Sequence, residues 1–174
     1  MVDGNQEAIE VPGKGFSESL VDADGFSIRY REAGTGEPLI WIHGGGGLRL
    51  SPVYDMLAET HRVIAFEVPG FGNSAVNDRT QNMQELADTM LAATTALGID
   101  TFELVGSSFG GKLAAWIAVR APERINTLVL CSPAAIRLEK PAGAGDRGLG
   151  TNFLYAHPER QPVMEPSPEE IVTK

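Results

Sequence analysis

The segment Thr101-Phe-Glu-Leu-Val-Gly106-Ser107-Ser108-Phe109-Gly110-Gly111-Lys-Leu-Ala-Ala-Trp116 decides how the rest of the chain is read. An apolar run, Phe102 to Val105, passes into Gly-x-Ser-x-Gly at Gly106, Ser108 and Gly110. A helix-compatible stretch follows, from about Ser108 to Ala121, and stops before Pro122, whose ring disfavours helical backbone in the residue ahead of it. A strand that turns straight into a helix must bend so sharply that the residues two before and two after the central serine have to be small. Such a turn thrusts the Ser108 hydroxyl off the sheet. It also brings the N-terminal amides of the helix to the same spot, where the amide of Phe109 is placed to stabilise an oxyanion. The five-residue pattern is weak alone and gains its weight from lying between strand and helix. A turn of small residues with no chemistry is the opposing reading.

Working outward, Leu39–Ile42, Val63–Phe66 and Leu128–Cys131 are further apolar runs without alternation. Strands covered on both faces read this way, as in a parallel sheet flanked by helices. Between them the spacing predicts a short helix over Pro52–Glu59 and a longer one over Gln81–Leu97. In the longer helix Met83, Leu86, Ala87, Met90, Leu91, Ala93, Thr94 and Leu97 share one stripe. Thr80 is expected as its N-cap and Gly98 as the C′ residue that ends it. Ahead of these, Phe16–Val21 and Phe26–Glu32 flank Asp24-Gly25, a strong hairpin signal. The fold class is therefore α/β, a mostly parallel sheet with helices on both faces.

A second glycine-rich segment, Trp41-Ile42-His43-Gly44-Gly45-Gly46-Gly47, follows the third strand. It is not a phosphate cradle: it offers neither G-x-G-x-x-G nor a terminal G-K-[ST]. Together with Glu67-Val-Pro-Gly70-Phe-Gly72-Asn-Ser74 after the fourth strand and Gly106-Ser-Ser-Phe-Gly110 after the fifth, it resembles the α/β-hydrolase superfamily. The likeness is to its serine-dependent, lid-bearing esterases and carbon–carbon bond hydrolases, and it covers about residues 26–133. The resemblance implies an α/β-hydrolase fold lacking its last strands. It also implies Ser108 as nucleophile, and Gly45 (with Gly46 the lesser candidate) as the second oxyanion donor beside Phe109. His43, Gly44, Gly46, Gly106 and Gly110 then serve as structural parts of the motifs. Glu67 stands where the family often has Asp, at a position that supports the loop. A serine nucleophile also speaks against dehalogenase or epoxide hydrolase chemistry, which by resemblance uses a carboxylate.

A serine hydroxyl needs a base, and the base needs a carboxylate to fix its tautomer. His43 reads as structural and His61 as a surface residue. Asp146 and His157 follow Ser108 in the family's order of Ser, acid, His. No strands follow to place them, so they are the weaker candidates. The favoured expectation puts acid and base outside this chain, leaving it inactive as a truncated product, a partial chain or half of a split enzyme. The activity expected of the complete machinery is hydrolysis of an ester, thioester, lactone or activated C–C bond through an acyl-enzyme-type intermediate. A catalytically dead, receptor-like binding protein and a non-functional fragment are the alternatives.

The 174 residues suit one domain, read as a loose leader (1–15), a core of six strands (16–136) and a Pro/Gly-rich lid segment or tail (137–174). The formal net charge of -9 argues against a nucleic-acid partner. No apolar run approaches the ~20 residues of a membrane span, and the first residues lack the basic and apolar regions of a signal peptide, so a cytoplasmic protein is expected. The single Cys131 is expected to be a small buried hydrophobe. The expected partner is a small-molecule substrate, with no metal or organic cofactor. Self-association is expected along the Thr127–Cys131 strand if its edge is left open.

Overall fold

The computed structural model describes residues 11–134. The stretch 135–174, with Asp146, His157 and the expected lid segment, and the first ten residues of the expected leader lie outside the described residues. The element order is β1 (Ser17–Ala23), β2 (Phe26–Ala33), β3 (Glu37–Ile42), α1 (Pro52–Ala58), β4 (His61–Phe66), α2 (Met83–Ala96), β5 (Phe102–Ser107), α3 (Phe109–Arg120) and β6 (Ile125–Cys131). Gly13, in the stretch read as a leader, is buried, and its amide donates to the Asp55 carboxylate on α1.

The six strands form one sheet in the order β1-β2-β4-β3-β5-β6. The first two are an antiparallel hairpin in the register Ala23↔Phe26, turned by Asp24 at φ 49° and Gly25 at φ 76°. Positive φ at both central residues is the turn whose twist matches that of the flanking strands. β2 joins β4 antiparallel, and β3–β4, β3–β5 and β5–β6 are parallel.

Side-chain alternation sorts the inner strands into two cores. Ile40, Ile42, Ile64, Phe66, Phe102 and Leu104 face α2 and α3. Leu39, Val63, Ala65 and Val105 face Tyr54 of α1. Helices thus cover both faces, which is why these strands read as unbroken apolar runs. Each large, fully buried side chain among them, such as Ile42, Ile64 or Phe66, contributes about 1.5–3 kcal/mol.

Two local expectations are corrected. The N-cap of α2 is Asn82, not Thr80: its side chain accepts from the Glu85 amide at 3.0 Å, while the Glu85 carboxylate takes the Gln81 amide. Asn82-x-x-Glu85 has the spacing of a capping box, with the return bond going to the amide of Gln81, the residue before the cap. Thr80 instead donates to Asn77 in a small buried pair. At the other end Gly98, at φ 70°, donates to Thr95 and Ile99 donates to Thr94, the paired bonds of a Schellman ending.

The second correction is Cys131, which is exposed. β6 is the outermost strand among the described residues, and Leu128 and Val129 are 39% and 44% exposed. An apolar run of strand-forming residues sets the strand but not its covering.

Candidate active site

The site is built at the C-terminal ends of β3 and β5, which are paired with Ile42 opposite Gly106. After β3 the chain leaves toward α1 on one face. After β5 it leaves toward α3 on the other face. Between strands whose connections diverge a crevice opens, the usual ligand position in open α/β sheets.

Ser108 sits at the turn from β5 into α3 with φ 51° and ψ -111°, and its residue is exposed. A non-glycine residue at this φ is strained and persists only where its surroundings fix it. The cause is steric. A methyl group on Gly106 would run into the carbonyl of Gly110 and lie 2.7 Å from the Ala114 side chain, and one on Gly110 would run into the carbonyls of Ile42 and His43. Strand and helix therefore touch through backbone, and the turn between them has no slack. Gly111 is also close-packed, though less tightly, with Pro133 2.9 Å from a methyl placed on it. Phe109, buried, is the first residue of α3, so its amide lies at the helix N-terminus beside Ser108.

The glycine segment approaches the same point. A methyl on Gly44 would lie 3.6 Å from the Ser108 Cβ and 3.5 Å from the Ser107 carbonyl. The Gly44 carbonyl accepts from the Gly47 amide at 3.1 Å, closing a turn with Gly47 at φ 81°. Gly45 and Gly46 are the central residues of that turn. The structure thus brings Ser108, Phe109, Gly44, Gly45, Gly46, Gly106 and Gly110 together.

His43 is buried and engaged at both ring nitrogens. Its Nε2 accepts from the Val68 amide at 3.1 Å, so Nδ1 carries the proton and donates to the Gly44 carbonyl at 2.7 Å. Burial holds its pKa below the ordinary 6.5, against the smaller opposing effects of the Gly44 carbonyl and the Glu67 charge. Both of its ring nitrogens are thus taken up by backbone groups of the two loops. His61 opens β4 at the other end of the sheet, where it lies 3.3 Å from Glu103.

Behind the glycine segment, Glu67 is 4% exposed. It accepts from Arg29 at 2.9 Å and from the Asn73 amide at 2.7 Å, holding the loop after β4 against β2. Phe71 of that loop packs on the His43 ring at 4.8 Å and on Phe109 at 5.3 Å. Phe71 and Arg29 were not among the residues singled out from the sequence. The Gly70-Phe71-Gly72 bracket is the available signal, since flanking glycines free a loop to seat a large side chain.

A sequence profile described as the alpha/beta hydrolase fold matches residues 37–164. The chain belongs to the alpha/beta hydrolase family. This alpha/beta hydrolase family chain is 38% identical over 146 residues to a 2-hydroxymuconate semialdehyde hydrolase of Pseudomonas sp. (strain CF600), covering 79% of this chain and 50% of that protein. It is 30% identical over 176 residues to the dihydrolipoyllysine-residue acetyltransferase component of an acetoin cleaving system from Cupriavidus necator, covering 94% of this chain and 46% of that one. Among solved structures, a meta-cleavage product hydrolase from Pseudomonas fluorescens superposes with a TM-score of 0.63 at 30% identity, over 70% of this chain and 47% of that one. The chain spans about half the length of the curated relatives it matches. No helix among the described residues is long and apolar enough to cross a membrane.

Proposed function

We propose that this protein carries the nucleophile of a serine hydrolase acting on a carbonyl carbon in an ester, thioester, lactone or activated C–C bond. The observation that carries the reading is the strained Ser108 turn set against the Gly44 backbone. In this scheme Ser108 Oγ attacks the carbonyl carbon and its proton passes to a base. The amides of Phe109 and Gly45 hold the oxyanion that forms. Collapse of the tetrahedral intermediate expels the leaving group, which takes the proton back, and water then hydrolyses the acyl-serine. The scheme uses no metal or organic cofactor, and its partner is a small-molecule substrate in the cytoplasm.

Neither described histidine serves as the base, because His43 spends both ring nitrogens on backbone and His61 lies at the opposite end of the sheet. The base and its carboxylate are assigned to residues outside the described ones. His157 and Asp146 stay the weaker candidates, and a catalytically dead binding protein is the alternative.

A fluorophosphonate probe tests the reading. A longer protein that includes the base is expected to label at Ser108, with labelling lost in Ser108→Ala. The 174-residue chain alone is expected to label weakly. Strong labelling of that chain, lost in His157→Ala, would place the base within it. Absence of Ser108 labelling in the longer, folded protein would favour the binding-protein alternative. In the same protein Gly45→Pro removes an amide donor and is expected to cost on the order of 10²–10³ in kcat.

A further inference from the structure

The chain carries a formal net charge of -9, yet the segments that leave the strand ends around Ser108 have the opposite character. In residues 43–51, 67–74, 107–112 and 131–134 the only acidic residue is Glu67. It is buried and its charge is neutralised by Arg29. The same segments hold two cations, Arg49 and Lys112. Neither makes a side-chain hydrogen bond or ion pair among the described residues. The other described arginines are engaged. Arg29, Arg62, Arg79 and Arg120 meet carboxylates, and Arg31 and Arg124 meet backbone carbonyls.

Lys112 is tied to Ser108 by the helix itself. Its amide donates to the Ser108 carbonyl at 3.1 Å, the bond that opens α3. Residues four apart share a helix face, and each Cα–Cβ bond tilts toward the N-terminus. The Lys112 side chain therefore leans back along the helix toward Ser108. One turn rises about 5.4 Å, which the four-carbon lysine stem spans. A cation in the first turn opposes the positive end of the helix, and α3 has no acidic residue in that turn to offset it. Local choices that break such a rule concentrate at functional sites.

Arg49 comes from the glycine segment. Leu48 and Leu50 pack against the core beneath α1, and Arg49 between them is exposed. It stands two residues past Gly47, whose amide closes the turn on Gly44.

We propose that the Ser108 site takes a substrate bearing a carboxylate, held by Lys112 with Arg49 as a second, outer charge. The carboxylate and the carbonyl to be attacked are separate groups of one molecule. A carboxylate fits better than a phosphate, because the glycine segment lacks the spacing of a phosphate cradle. The proposal names the substrate class of the serine-hydrolase reading and rests on it, while the anion binding itself does not need the Ser108 hydroxyl.

The test uses the 174-residue chain, each variant first checked for a cooperative melt. In the first arm, amide NMR follows titration with benzoate and with benzamide, which matches its shape without the charge. Benzoate is expected to move the resonances of residues 107–112 more than benzamide does, in wild type and in Ser108→Ala. Its affinity is expected to fall about fivefold in Lys112→Gln and about twofold in Arg49→Gln, the order of a part-exposed ion pair. Lys112→Arg is expected to restore it. Arg120→Gln removes the same charge from the far end of α3 and is expected to keep benzoate binding. Equal responses to the two ligands, or a loss in Arg120→Gln as large as in Lys112→Gln, overturn the proposal whatever Ser108 does. Phenylphosphonate bound more tightly than benzoate overturns the choice of carboxylate. Lys112→Met stands in if Lys112→Gln does not melt cooperatively.

The second arm compares 4-carboxyphenylboronic acid with 4-carbamoylphenylboronic acid. Each forms a bond from boron to Ser108 Oγ, with the hydroxyl proton passing to solvent. The ratio of their affinities is expected to fall about fivefold from wild type to Lys112→Gln. A ratio indifferent to Lys112 overturns the proposal. If neither compound loses affinity in Ser108→Ala, the nucleophile reading fails instead, and the first arm decides the proposal by itself.

Discussion

The backbone amide of Ser108 donates to the carbonyl of Cys131, 2.9 Å away at the end of β6, and the Ser108 carbonyl accepts from Ala134 at 3.0 Å. The strained residue is therefore clamped from a neighbouring strand as well as from its own helix, where Lys112 bonds the same carbonyl at 3.1 Å. This is what allows a serine to stay at φ 51°. Ser108→Gly relieves the strain, although glycine also gains freedom in the unfolded chain. Ser108→Gly is expected to be more stable than Ser108→Ala by up to about 1 kcal/mol in urea unfolding. Equal midpoints would show that the turn stores no strain.

Gly110 is the contact between α3 and the end of β3. A methyl group there meets two backbone carbonyls, which cannot swing aside as a flexible side chain would. Gly110→Ala is expected to lose about 1–3 kcal/mol through backbone displacement. It is also expected to disturb the amide resonances of residues 42–45, since the displaced carbonyls belong to Ile42 and His43. An unperturbed, fully stable variant would contradict the backbone contact.

The pH dependence of stability should carry a contribution from His43. Its folded pKa lies below 6.5 because burial penalises the charged ring. As pH falls through about 6.5 the unfolded chain takes up a proton that the folded protein refuses. The unfolded state then binds more protons, so this contribution is fully present above about pH 6.5 and is lost as pH falls toward the folded value. Urea midpoints measured from about pH 7 down to about pH 5 are expected to fall less steeply in His43→Asn than in wild type. Parallel slopes would mean that the ring accepts a proton freely in the folded state.

The outer strand β6 bears on association. Leu128 and Val129 are large, exposed and uncharged, on a strand whose edge is unpaired among the described residues. Strands of this kind pair with other chains. We propose that the 174-residue chain self-associates through this edge, and Leu128→Lys is expected to shift it toward monomer in size exclusion with light scattering. A monomeric wild type would set the proposal aside.

Much of this was legible in the sequence, for identifiable reasons. Asp24-Gly25 dictates its turn through backbone sterics, Gly98 ends its helix for the same cause, and Gly106, Ser108 and Gly110 specify a junction that only small residues can form. Thr80 was misread because a hydroxyl three residues ahead of a helix start looks like a cap until Asn82 and Glu85 are taken as a pair. The covering of Cys131 was not legible, since burial depends on what packs over a strand and an apolar run does not state it. The roles of Arg29 and Phe71 were harder to read, because Arg29 acts on Glu67 and Phe71 on His43 across roughly thirty to forty residues of chain, and no local pattern marks such a partner. Asp146 and His157 lie outside the described residues.

The groups assembled around Ser108 are mostly main-chain atoms: two amides, a peptide plane and a turn of glycines. Main-chain geometry is inherited with the fold and survives the exchange of neighbouring side chains. On the proposed serine-hydrolase reading, selectivity and reactivity would thereby be stored in separate parts of the molecule. Divergence of the surrounding side chains would then change which compound is admitted without redrawing the proposed reacting centre. A directed library that spares residues 41–47 and 106–111 is the corresponding way to seek new substrates on an unchanged backbone.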